Sequence, residues 1–144
     1  MKITYLHHSG FSVETETKVL LFDYYTEGGR KAYFDPAAYP DKAVFVFVSH
    51  AHEDHYDRRI LSWAKLPNVR YVLSFDVRTE AGFEGRVLRA EPHRTYDFDG
   101  ISIQTLRSND EGVAFLVKAD GKTIYHAGDL NWWHWNGEPD AFNA

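Results

Sequence analysis

Residues 43–49, AVFVFVS, form a continuous, mostly β-branched and aromatic run, apolar up to Val48, that opens directly into HAHEDH at 50–55. A strand that is apolar on both faces has to be covered on both sides, so this run belongs in the middle of a layered domain. Shorter apolar runs bounded by turn residues precede it, KITYL, FSVET and KVLLFDYY, and they read as strands because helix-length periodicity is missing. Residues 26–42, TEGGRKAYFDPAAYPDK, combine glycines, prolines and charges and read as a surface loop. After the histidines, DRRILSWAKL places Ile60, Leu61, Ala64 and Leu66 ahead of Pro67, which predicts a short amphipathic helix. VRYVLS at 69–74 predicts another strand, and residues 76–84 a second short helix. RVLRA, TYDF, DGISIQTL, GVAFLVKA and TIYHA return to β-structure, with Ala119-Asp120-Gly121-Lys122 as a hairpin turn. The expected class is therefore α+β, β-rich with one or two helices, rather than a regular βαβ alternation.

Composition narrows the function classes. The 144 residues carry 44 % hydrophobic side chains and no dividing linker, so residues 1–144 are expected to form a single domain. With 16 Lys+Arg against 21 Asp+Glu, the net charge of −5 supplies no basic footprint, and nucleic acid is not the expected partner. Cysteine is absent, which excludes disulfides, thiolate metal sites and a cysteine nucleophile, so any metal must be held by nitrogen and oxygen. No run approaches the ~18 apolar residues of a membrane span and the N-terminus has no signal-peptide stretch, so the expectation is a cytoplasmic protein with no membrane partner.

The cluster that follows the apolar run is the candidate site. In an extended segment alternate side chains share a side, so His50 and His52 have the spacing of two ligands on one ion. Asp54 and His55 come where the chain turns toward the predicted helix and can serve a neighbouring position. Imidazole and carboxylate donors suit zinc, manganese or iron. The spacing His52-Glu53-Asp54-His55 lacks the two-residue spacer of the helical HExxH pattern, which excludes that kind of zinc-protease site.

HAHEDH is an instance of the HxHxDH signature of the metallo-β-lactamase superfamily, and further matches spread that resemblance over essentially the whole chain. YLHHSGFSVE resembles the GHSGF opening of its ascorbate-phosphate-lactonase-like branch, with His8 in the histidine position. LLFDYY resembles the IDP strand, which would set Asp23 near the floor of the site, and TIYHAGDLN resembles the late hxGD motif. The resemblance implies an αβ/βα sandwich in which His50 and His52 bind a first metal, Asp54 and His55 a second, and Asp129 bridges the two. It implies hydrolysis of an ester, lactone or phosphodiester bond in a small-molecule substrate, with one or two divalent ions, zinc first among them. Asp54 would also take or relay a proton as the leaving group departs. His8, Asp23 and His126 are candidate lining residues, His126 more in a supporting than a ligating role. His7, His93 and His134 have no spacing argument, and Trp132, Trp133 and Trp135 are expected to pack.

Two departures from the family pattern qualify these expectations. The histidine that normally precedes the strand before the GD motif is replaced here by TLRSNDEGVAFLV, with Arg107, Ser108 and Asn109 in its neighbourhood. The chain also stops fifteen residues after Asp129, so it resembles the first half or somewhat more of the fold. An isolated half would leave a sheet face wet at a cost of roughly 25 cal/mol per Å2 of apolar surface, so a homodimer partner, a second chain or a continuation is expected to cover it. The competing expectation to a hydrolase is accordingly a metal-binding half-domain with weak catalysis, acting structurally or through another chain.

Overall fold

The computed structural model describes residues 1–7, 10–25, 34–51, 58–77, 86–107 and 112–127. They form ten strands in two sheets. The first sheet contains β1 (Lys2–His7), β2 (Gly10–Glu14), β3 (Lys18–Phe22), β4 (Ala43–Val48), β5 (Val69–Ser74) and β6 (Val87–Ala90), in that spatial order. The second contains β7 (Thr95–Phe98), β8 (Ile101–Arg107), β9 (Val113–Ala119) and β10 (Lys122–His126), also in sequence order. The first three strands are antiparallel neighbours, whereas β3 to β6 run parallel, so the ends of β3, β4 and β5 open on the same side.

β4 is the central strand that its sequence demanded. It pairs with β3 through Leu20–Phe45 and Phe22–Phe47 and with β5 through Val46–Tyr71 and Val48–Leu73. Its alternation splits the interior in two. Phe45 and Phe47 join Leu20, Phe22 and Val72 against Ile101, Ile103, Phe115 and Val117 of the second sheet. Val44, Val46 and Val48 join Val19, Leu21, Tyr71, Phe34 and Ile60 on the opposite side. A strand feeding two cores has no polar positions to spare, which is why the alternation of a half-buried strand is missing from AVFVFV.

The two sheets are held by polar links as well as by the core. The β9–β10 turn has positive φ at Asp120 and Gly121, 48° and 74°, and the Asp120 carboxylate accepts from the Thr17 backbone N–H at 2.7 Å and the Thr15 hydroxyl at 2.7 Å. Arg70 on β5 bonds Asp99 at 2.8 Å. β1 forms the outer strand of the first sheet, and its Ile3 and Tyr5, opposite Val13 and Phe11, are exposed. On the second sheet, Gln104, Lys118, Thr123 and Tyr125 alternate with the inward-facing residues and are also exposed.

The helix expected around residues 58–66 exists, but Arg58–Lys65 is a 3-10 helix rather than an α-helix. Two of its carbonyls are claimed from outside: Tyr71 Oη donates to Ile60 O at 2.6 Å, and Arg86 donates to Ala64 O, reaching also Leu66 O and Val69 O beyond the helix. Tighter i to i+3 bonds replace the α-helical ladder, as in Leu66 N–H to Trp63 O at 2.9 Å. The loop expected at 26–42 contains a further 3-10 turn, Pro36–Ala38, capped by the Asp35 carboxylate on Ala37 N–H. Residues 78–84 of the second expected helix lie outside the described residues, and Asp76 and Val77 follow β5 in a turn. No described helix is long and apolar enough to cross a membrane.

Candidate metal centre

Three strands end side by side, and a polar residue stands within two positions of each end. Asp23 follows β3, Ser49 and His50 follow β4, and Asp76 lies two residues beyond β5. Ligand sites in parallel sheets form at such carboxyl ends, because backbone amides and side chains emerge there uncovered by a continuing strand. His50 is fully buried, and its backbone surroundings are fixed from several directions. Ser49 N–H donates to Asp23 Oδ1 at 2.7 Å and Ala51 N–H donates to Asp76 Oδ2 at 3.1 Å, so a carboxylate from each flanking strand holds the peptide groups on either side of His50. From the second sheet, Val113 N–H donates to Ser49 O at 2.8 Å.

Asp23 is fully buried and adopts a left-handed conformation with φ of 47°, its own N–H bonded to Phe47 O at 2.9 Å. Aspartate tolerates this region better than most residues, and such a conformation persists where surrounding contacts over-determine it. Those contacts are visible: besides Ser49 N–H, the carboxylate takes the Ser49 hydroxyl on Oδ2 at 2.6 Å and His126 Nε2 on the same oxygen at 2.9 Å. His126 closes β10, faces the interior on the same side as Ile124, and stacks on Phe22 with ring centroids 4.9 Å apart. Ser49 Oγ also lies 3.0 Å from His50 Nδ1.

The structure thus brings three of the sequence candidates, Asp23, His50 and His126, into one buried cluster. His8, His52, Asp54, His55 and Asp129 lie outside the described residues, and among the described residues alone no group of three His, Asp or Glu side chains could hold a metal ion. His50 alone is compatible with a ligand's role: its Nδ1 lies 3.0 Å from the Ser49 hydroxyl, the arrangement that directs metal binding to Nε2. Three residues of this region escaped the sequence reading. Ser49 and Asp76 had only their adjacency to strand ends as a signal. Gly112 had its place between a polar segment and the β9 run, and at φ of 85° it passes directly against Ser49 and His50.

Comparisons with known proteins identify the family and the fold. The family model described as the beta-lactamase superfamily domain matches residues 2–135. A UPF0173 metal-dependent hydrolase of Pyrococcus abyssi is 30 % identical over 142 residues, covering 90 % of this chain and 61 % of the relative. One from Desulforamulus reducens is 31 % identical over 146 residues, covering 90 % and 62 %. The chain therefore spans about three-fifths of the length of these relatives. Among solved structures, a metallo hydrolase of Ignicoccus hospitalis superposes with a TM-score of 0.63 at 20 % identity, over 89 % of this chain and 60 % of that one. A diiron beta-hydroxylase of Streptomyces venezuelae gives 0.64 at 17 %, over 89 % and 29 %. At these identities the likeness establishes the fold alone, and that fold is the metallo-β-lactamase sandwich that the HAHEDH resemblance implied. With nine-tenths of its residues inside the family match, the chain belongs to the beta-lactamase superfamily.

Proposed function

We propose that the chain is a metal-dependent hydrolase of an ester, lactone or phosphodiester bond in a small-molecule substrate. The observation that carries this reading is the fully buried His50 at the carboxyl end of β4, with its backbone neighbours held by Asp23 and Asp76 and its Nδ1 held by Ser49. His50 and His52 would hold one divalent ion, Asp54 and His55 a second, and Asp129 both, with zinc, manganese or iron compatible with these donors. Such ions, when bound, supply water of lowered pKa and polarise the bond under attack. The chain's own part is to place the donors rigidly, through the carboxylates that hold the Ser49 and Ala51 amides, and to relay a proton at the Asp54 carboxylate as the leaving group departs. His8 would line the entrance. The net charge of −5 argues against a nucleic-acid substrate, and the same chemistry fits a cytoplasmic enzyme.

A second reading, a metal-binding half-domain with weak catalysis, is favoured by the absence of a histidine from residues 105–113. In either case Ile3 and Tyr5, exposed on β1 along the continuation of the inter-sheet face, form the apolar row that a second copy or a second chain would cover.

Metal analysis after metal-supplemented preparation, beside His50→Ala and Asp54→Ala, tests the site, and the mass in solution tests the partner. Bound metal lost in both variants, together with esterase, lactonase or phosphodiesterase turnover, is the expected result. Negligible metal in the unmutated chain overturns the site, and metal without turnover on all three substrate classes selects the half-domain.

A further inference from the structure

The cluster around Asp23 permits an assignment of protons. Asp23 Oδ2 receives two groups, the Ser49 hydroxyl at 2.6 Å and His126 Nε2 at 2.9 Å, while Oδ1 receives the Ser49 amide at 2.7 Å. An ionised carboxylate has only acceptor capacity, so each of these three partners must donate. His126 therefore carries its proton on Nε2. The Ser49 hydroxyl has a single proton, and the 2.6 Å contact is the length of a charge-assisted O–H to carboxylate bond. With that proton committed, Ser49 Oγ can only accept from its other neighbour, His50 Nδ1, at 3.0 Å. His50 thus carries its proton on Nδ1, and its lone pair lies on Nε2. The two histidines are held in opposite tautomers by one carboxylate.

We propose that Ser49 and His126 are positioning residues which, through Asp23, lock His50 as the Nδ1–H tautomer that donates to metal from Nε2. This rests on the reading of His50 as a metal ligand and adds how that ligand is prepared before metal arrives. The nitrogen that an imidazole presents to a metal is set by the hydrogen bond its other nitrogen makes. Here that bond reaches back through a hydroxyl to a carboxylate that is itself oriented from the second sheet. His126 contributes by keeping Oδ2 in place for the Ser49 hydroxyl, and its stack on Phe22 fixes its own ring.

The test uses the full chain, stripped of metal with a chelator and labelled with 15N-histidine, at about pH 8, where an ordinary imidazole is neutral. Long-range proton–nitrogen spectra, with His50→Ala and His126→Ala to assign the signals, are expected to show a protonated Nδ1 for His50 and a protonated Nε2 for His126. Zinc affinity, measured by competition with a chromophoric chelator, is expected to fall about 10–100-fold in Ser49→Ala. Ser49→Thr, which keeps the hydroxyl, is expected to restore it. A protonated Nε2 on His50 in the unmutated metal-free chain overturns the proposal even if no serine variant folds. So does a Ser49→Ala protein that binds zinc as tightly as the original. Should the chain bind no zinc, manganese or iron at all, the hydrolase reading fails, and the tautomer of His50 still decides this proposal by itself.

Discussion

Gly112 passes so close to Ser49 that a Cβ on it would stand 1.9 Å from the Ser49 carbonyl oxygen and 2.5 Å from His50 Cβ. Both distances are well inside van der Waals contact, and the obstacles are a backbone oxygen and the root of a candidate ligand rather than a movable side-chain tip. The φ of 85° adds a conformational penalty for any residue with a Cβ. Gly112→Ala is expected to cost about 2 kcal/mol or more, from overpacking and from the left-handed backbone together. Urea denaturation of the purified variant measures this, and a loss below about 0.5 kcal/mol would mean that β9 does not press on His50 as described.

The Asp120 carboxyl is lowered from its ordinary 3.8 to about 2, first by the Thr17 backbone N–H and then by the Thr15 and Thr17 hydroxyls. A carboxyl depressed in the folded state stabilises fully above its unfolded value and loses that contribution as pH falls through the folded one. The thermal midpoint of Asp120→Asn is expected to lie below that of the original chain at neutral pH. The gap should close between pH 3.8 and about 2, where the original also becomes protonated. Midpoints that stay equally separated down to the lower pH would contradict the assignment.

His126→Ala removes a donor from a fully buried carboxylate and a ring stacked on Phe22. The expected loss is about 1–3 kcal/mol, the usual cost of leaving a buried polar group short of a partner. His126→Gln, which keeps a side-chain N–H, is expected to recover part of it, as read by chemical denaturation. Equal losses in the two variants would assign the whole effect to the aromatic stack.

Arg86→Lys is the matching test for the 3-10 segment. The guanidinium spans the carbonyls of Ala64, Leu66 and Val69, and an ammonium on a flexible stem cannot reproduce that fork. A cost of about 1–2 kcal/mol is expected, with the end of the 3-10 segment around Ala64 changed in circular dichroism. Unchanged stability and circular dichroism would show that Arg86 does not impose the tighter helix.

Metal itself should stabilise the fold. Zinc added to the chelator-stripped chain at about 100 times its dissociation constant is expected to contribute about 2.7 kcal/mol, reversed by chelator and absent in His50→Ala. A thermal midpoint indifferent to zinc would count against the site.

Most strands were legible because their residues obey short-range rules. AVFVFV has no polar position and so had to sit between two cores, and the Asp120-Gly121 pair supplies the two positive φ values of a tight hairpin. Helix type was not legible at 58–65, because the competitors for its carbonyls, Tyr71 at Ile60 and Arg86 at Ala64, come from later in the chain. Of the candidate site, His50 announced itself by residue type and spacing, and Asp23 by the motif around it. Ser49, Asp76 and Gly112 did not, since a serine after a strand, an aspartate in a turn and a glycine before a strand are ordinary locally. Their importance comes from contacts between residues 25 to 63 positions apart, which no local pattern encodes.

β10 is an outermost strand of the second sheet among the described residues, a position where pairing could slide by a residue without exposing much core. Yet the turn that leads into it is tied to Thr15 and Thr17, and its last residue is tied to Asp23. Those ties lie at opposite ends of five residues and both belong to the other sheet. A slip of one position would turn His126 away from Asp23 and pull Lys122 off its partner Ala119 in a single step. The strand therefore works as a ruler read at both ends, with His126 fixed relative to Asp23 and the preceding turn fixed relative to Thr15 and Thr17.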